Sequence, residues 1–506
     1  MSSDKENSGA FLGFFETGIG VNKNVILDDG ACVRVLNRVL DWMVHRSSRP
    51  VTRFPKIMTW ETYVTEKYYR SVLDGTEGVQ HEFVLSARQE QALWQSIARD
   101  NISVDWPTSL QVAQELRAAW RTQNLWNLDF SQSGAVFSSD WERYREIAEI
   151  YVSKLNRIGA QDSSRLLKNS LGEKVTEGVL AHGFFSPAPI LRAWLKKNAE
   201  NGHSMVEKSE ICRYHRYPSK IAEIESALIW ADRISVADSS SKIAVVLDVM
   251  PSETMIVRSL CEEVLQKDFY FSSLSSLLEK PCIKLALALL EIKDVPRWDE
   301  LSLIINHPLL DSSKEEGRER ALLDFELRSE GRFEWPLRSI IKILDSSNRC
   351  PILIILLNEI CKSNDSIVQK DSVANWVSFF RKRLKSLRWL EDENKTLIDK
   401  ELLDEFASVL DRVTELDAVL GHISYSEAVW HLRNALAAQR VGYSGTPTNI
   451  FVVNAKEALT VDPTHMWLTE CTMDKPSLID ETARLLPFSE QREAGVPGSN
   501  PSTDFL

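Results

Sequence analysis

The 506 residues carry 60 Lys and Arg against 72 Asp and Glu, a formal net charge of −12; this excludes a protein that coats nucleic acid through a general excess of cations, and confines any phosphate contact to a local surface. Apolar residues at 43%, charged residues at 26% and fifteen tryptophans describe a globular chain with ample core material, long enough for roughly three or four compact units. The longest apolar runs, such as Pro351 to Leu357, fall far short of the ~20 residues that span a bilayer.

The polar, partly acidic start MSSDKENSGAFLGFF lacks the basic opening and apolar core of a secretory signal, and seven cysteines without pairing rhythm fit reduced thiols. A cytoplasmic location is expected. Residues 1–20 read as a disordered leader. Asn24 to Leu27 (NVIL) then predicts a short strand, and Val33, Leu36, Val39, Leu40 and Met43 predict a helix over Ala31 to Val44. A phosphate loop of the form G-x-x-x-x-G-K-[ST] would sit at such a strand-to-helix junction. The chain offers Asp28, Asp29 and Gly30 instead, and no such motif occurs elsewhere. Two carboxylates suit a helix N-terminus but repel a triphosphate, so ATP hydrolysis is not expected.

From about Ser86 to Asn156 the pattern is helical, opened by a Ser86/Gln89 capping box and stopped by Gly159. Its stripe of Trp141, Tyr144, Ile147, Ala148, Tyr151, Val152 and Leu155 reads as core rather than as a base-stacking platform. A second α/β step follows, with Val175 to Ala181 leading into His182, Gly183 and Phe184, then a helix carrying Ile190, Leu191 and Trp194. A third begins near Tyr217 with the helix of Ile221, Ile224, Leu228, Ala231 and Ile234, the buried strand Lys242 to Leu247 (KIAVVL), and a helix over Glu253 to Leu265. Residues 271 to 444 are mostly helical; their best helix runs from Leu402 to Leu420 and stops at Gly421. The sheet resumes at Ile450, and Ile450 to Glu470 reads as strand, Ala-Lys turn, strand.

That last stretch, with Ala455, Lys456, Glu457, Ala458 and Leu459, resembles the "AKGLEF" turn of superfamily-one helicases of the UvrD, RecB and AddB type, without its glycine. Together with PKIMTWETYV (Pro55 to Val64), LSARQEQALW (Leu85 to Trp94), VLAHGFFSPAPILRAWL (Val179 to Leu195), KIAVVLDV and LLPFSEQREAGVPG (Leu485 to Gly498), it makes the chain resemble the bacterial AddB-like DNA repair family, whose inactivated helicase region precedes a PD-(D/E)XK nuclease. The resemblance implies an α/β fold of two degenerate P-loop (RecA-like) helicase lobes, each interrupted by an all-helical insertion. The first lobe would comprise 21–75 and 172–210, interrupted by 76–171. The second would comprise 211–270 and 445–484, interrupted by 271–444. Residues 485–506 would be a tail, the truncated start of the linker to a nuclease domain that this chain lacks. His182 stands where the family's motif two has its metal-binding acid, so no catalytic residue, cofactor or metal is expected. The implied function is that of a non-catalytic subunit in DNA repair or recombination, binding DNA beside an AddA-like motor helicase or a separate nuclease. The alternatives are a helical protein-interaction scaffold and a truncated remnant of a repair nuclease.

Three further patterns remain. Glu291-Ile292-Lys293 has the spacing of a nuclease triplet, but follows LALALL, which reads equally as a buried helix. Cys212 and His215 have C-x-x-H spacing with no second pair to complete a zinc site. The run FFRKRLKSLRW places Trp376, Phe380, Leu384 and Leu387 on one helix face and cations on the other. Arg381, Lys382, Lys385 and Arg388, with Lys456 of the worn motif, are therefore the candidate DNA-binding residues, and Tyr214, His215, Arg216, Tyr217 and Lys220 form a weaker candidate of the same kind.

Overall fold

The computed structural model describes residues 24–46, 55–75, 82–102, 106–130, 139–172, 179–184, 186–200, 213–247, 249–250, 253–272, 275–310, 313–389, 400–441, 447–471 and 481–499. The leader 1–20, Cys212 and the beginning of the Val175 segment lie outside them. The chain is mixed α/β and mostly helical, and it divides into two compact units: Met1–Ser273 with Ser444–Leu506, and Leu274–Tyr443.

Among the described residues the first unit contains two four-stranded parallel sheets. In one, β1 (Asn24–Leu27) lies between β2 (Ile57–Thr59) and β5 (Val179–Ala181), with β6 (Ala199–Glu200) outermost beside β5. In the other, β7 (Ile243–Val246) pairs with β14 (His465–Leu468) and with β13 (Ile450–Val453), and β13 pairs in turn with β8 (Tyr270–Phe271). The central strands of both are short, β-branched-rich runs buried on both sides, the usual state of a parallel sheet covered by helices.

Helix α1 (Gly30–Arg46) ties the sheets together. Its Cys32, Val35, Leu36, Val39 and Leu40 recur at helical spacing and are buried. They form one core with Val25 and Leu27 of β1, Ala244 and Val246 of β7, and Phe451 and Val453 of β13. Strand alternation sends Ile26 to the opposite side, against Trp60, Tyr63 and Trp194. Likewise Ile243 and Val245 turn away from α1 toward Ile224 and Leu228 of the helix Lys220–Ala237 and Cys261 of Thr254–Val264.

Between β2 and β5 the chain forms three long helices, α3 (Ala87–Ile102), α4 (Trp106–Leu125) and α5 (Ser139–Ile158); α2 (Trp60–Leu73) precedes them. The Ser86 and Gln89 cap is formed in both directions, at 2.9 and 3.3 Å, and Gly159 ends α5 with φ +64°. Trp94 stacks on Tyr151 at 3.9 Å, so the aromatic stripe is core. The segment is not all-helical, however: β3 (Phe83–Val84) and β4 (Ala160–Gln161) pair in parallel, because the residues flanking the helices complete each other's backbone hydrogen bonds.

The second unit is likewise helical but not wholly so. Near its two ends β9 (Ser275–Ser276) and β12 (Arg440–Val441) pair antiparallel, and β10 (Asp371–Ser372) pairs with β11 (His422–Ile423). The helix Pro281–Glu291 is buried along Ile283, Leu285, Leu287 and Leu290, which makes the Glu291-Ile292-Lys293 triplet a helix end rather than a strand; Glu291 accepts a 2.9 Å hydrogen bond from Arg433. The helix expected through Leu420 ends at Thr414 and restarts at Asp417. The Asp417 carboxylate there accepts from the backbone N–H groups of Val373 and Ala374 at the start of the helix Val373–Ser386. Among the described residues no helix is long and apolar enough to cross a membrane.

Candidate functional site

The chain leaves β1 through α1 to β2 on one side, while the next strand added to that sheet, β5, lies on the other side of β1. Strand order therefore reverses at β1, and the crevice outside the carboxyl ends of β1 and β5 is the place where open parallel sheets hold ligands. Asp28 and Asp29 follow β1 there, and His182 and Gly183 follow β5.

The Asp29 carboxylate turns back onto its own helix. Its Oδ1 accepts from the backbone N–H groups of Ala31 and Cys32, both at 2.9 Å. These are the amides a phosphate would occupy at a helix N-terminus, so an internal carboxylate fills that position. Burial, reinforced by the Asp29 charge, pushes the Cys32 thiol up to about 12, well out of the reactive range.

Lys456 enters from the second sheet. The segment expected to be a turn is a helix, α6 (Ala455–Val461), because Asn454 and Glu457 form a reciprocal capping box and no glycine interrupts its good helix formers. Lys456 Nζ donates to Glu481 Oε1 at 2.9 Å and lies 3.5 Å from Asp28 Oδ2. Burial alone would lower the Lys456 pKa, but the Asp28 and Glu481 charges outweigh it and hold the ammonium above its ordinary value. For Asp28 burial dominates, aided by Glu481 and Asp29, and its carboxyl is raised despite Lys456.

His182 is buried at the end of β5, with Nε2 2.9 Å from the Thr460 carbonyl oxygen of α6. Burial lowers it to about 4, so the ring is neutral at physiological pH and Nε2 is the donor. Gly183, at φ +72°, places its backbone where a Cβ would stand 2.6 Å from Thr460 Oγ1. The two sheets thus meet through α6 with no room for a side chain at this point.

Beside these residues is a cavity of about 390 Å³, walled by the strand ends, by α3 and α4, and by Lys456 and Glu481. On the helical wall, Arg117 Nε donates to Glu90 at 2.8 Å and Arg121 pairs with Glu61. Burial raises the Glu90 carboxyl, against the pull of Arg117. Among the described residues, each cation lining the cavity therefore already has a carboxylate partner.

The remaining candidates from the sequence lie elsewhere in the chain. On the helix Val373–Ser386, Arg381 pairs with Asp411 at 2.6 Å, while Lys382 and Lys385 are exposed and Arg388, also exposed, sits just beyond the helix with φ +50°. Arg383 departs from the expected cationic face: it is buried, and donates to the Leu289 carbonyl at 3.0 Å and to Asn364 at 2.8 Å. In the first unit, His215 stacks on Trp467 at 5.8 Å and Lys220 pairs with Glu253 and Glu470, while Tyr214 and Arg216 are exposed. Among the described residues no group of His, Cys, Asp and Glu is arranged to hold a metal ion.

No family model and no curated protein matches the chain. Glu481, Arg117, Arg121, Glu61 and Glu90 are not legible in the sequence as site residues, since their pairings join segments distant along the chain and leave no local spacing to recognise.

Proposed function

We propose that the chain is a helicase-shaped, non-hydrolysing subunit of DNA repair or recombination, similar to the AddB-like family, which binds DNA while a separate motor helicase or nuclease supplies movement and cleavage. Its two parallel sheets are taken as degenerate RecA-like lobes, the first interrupted by α3 to α5 and the second by the unit Leu274–Tyr443. The observation that carries this reading is the strand-to-helix junction at β1. A ligand-binding topology is kept there, while Asp29 occupies the helix amides and Asp28 and Glu481 engage the lysine that lines the cavity. An ATP-driven cycle requires that junction to accept a triphosphate, and its own carboxylates oppose one.

DNA contact is assigned to Lys382, Lys385 and Arg388, with Arg381 contributing when its pair with Asp411 opens. Calorimetric titration with magnesium-ATP should show no saturable binding. Reversing Lys382 and Lys385 to glutamate should weaken DNA binding and reduce the salt dependence, by about 0.7 to 0.9 in the log–log slope for each phosphate no longer neutralised. Saturable micromolar ATP binding would refute the first statement, and an unchanged slope the second.

A protein-interaction scaffold is the second reading. It is favoured by Phe325 and Phe333, each 67% exposed in the second unit, with Leu322 and Ile355 also exposed. That reading predicts no DNA binding even at low ionic strength.

A further inference from the structure

The cavity at the carboxyl ends of β1 and β5 has a volume within the ~300–1,000 Å³ range of small-molecule sites, and the carboxylates of its strand-end wall oppose the phosphates of a nucleotide. On the strand-end wall, Asp28 and Glu481 face the ammonium of Lys456, and Asp29 lies beside them with its carboxylate on the α1 amides. On the helical wall, Arg117 and Arg121 are each neutralised by a carboxylate behind them, Glu90 and Glu61. Negative charge is left in excess at the strand ends.

Lys456 shows what that excess accepts: an alkyl chain reaches in and its ammonium is held at 2.9 Å by Glu481, with Asp28 at 3.5 Å. Trp60, Trp126 and Phe184 supply aromatic surface to the wall, and aromatic faces attract cations that carboxylates have already drawn out of water. We propose that this cavity binds a small organic cation, an alkylammonium of the polyamine class, with its charged end at Asp28 and Glu481 and its hydrocarbon along the aromatic wall. An anion in the same space is opposed by those carboxylates and finds the α1 amides taken.

The proposal stands apart from DNA binding and is tested on the full chain with spermidine as the probe. Isothermal titration at near-physiological salt should give saturable binding of one spermidine per chain. Glu481→Gln keeps the side-chain shape and removes a charge; it should weaken binding by about tenfold or more. Ala118→Trp, at an exposed position of α4 on the cavity wall, leaves every charge in place and should block binding sterically. Circular dichroism establishes that both variants are folded. Absence of saturable binding to the native chain would overturn the proposal, as would unchanged affinity in both folded variants, since binding would then be general attraction to an acidic surface. Saturable binding of inorganic phosphate in place of spermidine would also overturn it.

Discussion

Replacing Lys456 with methionine keeps most of the side-chain volume and deletes the ammonium that Asp28 and Glu481 share. The three side chains are 35%, 30% and 31% exposed, between a surface pair, worth about 0.2–1 kcal/mol, and a buried one, whose rupture costs about 3–5 kcal/mol. Partial solvent screening places the loss at about 2 kcal/mol near pH 8. Asp28 makes this loss depend on pH. Its folded pKa is raised, so protonated Asp28 contributes stability that is full below the unfolded carboxylate pKa and disappears as pH rises through the folded value. Removing Lys456 raises that folded value further. The difference between Lys456→Met and the native chain should therefore be smaller at about pH 4 than at pH 8. Urea denaturation followed by fluorescence and circular dichroism measures it, and adding Asp28→Asn to the variant should recover part of the loss. A variant as stable as the native chain at pH 8, or a loss that neither varies with pH nor responds to Asp28→Asn, would show that the cluster does not tie the two sheets together.

His182 titrates in the opposite sense. Its folded pKa is lowered to about 4, so its contribution is present above the unfolded histidine value and is lost as pH falls from about 6.5 through 4, by roughly 3 kcal/mol in all. His182→Gln retains a donor for Thr460 and should flatten that part of the stability curve; equal acid sensitivity in both proteins would contradict the assignment. Gly183→Ala combines left-handed backbone strain of about 1–2 kcal/mol with a close approach to Thr460 Oγ1. Thermal unfolding should show Thr460→Ala relieving the second part and not the first, and a neutral Gly183→Ala variant would rule out the close packing of α6 as a constraint.

Strands β1, β7 and β13 are legible because buried parallel strands are short continuous runs of Val, Ile and Leu, as in NVIL, KIAVVL and IFVV. The Ser86 cap is legible because its two partners are three residues apart. The segment after β13 reads as a turn only by comparison with a glycine-bearing motif; Ala-Lys-Glu-Ala-Leu itself favours helix, and Asn454 stands at its cap. Arg383 also carries a local signal: it lies seven residues after Trp376, on the same helical stripe, and so points inward. Three carboxylates that pair with candidate cations have none. Glu481, Glu90 and Asp411 are 25, 27 and 30 residues from Lys456, Arg117 and Arg381, separations that only the folded chain closes.

Fluorescence anisotropy of labelled DNA across a salt series, with and without magnesium-ATP, separates a DNA-binding subunit from both a motor and a scaffold. A helicase-shaped subunit without a nucleotide engine predicts binding that weakens as salt rises and is the same whether or not ATP is present. No binding at the lowest salt, or an affinity that shifts on adding ATP, would contradict it.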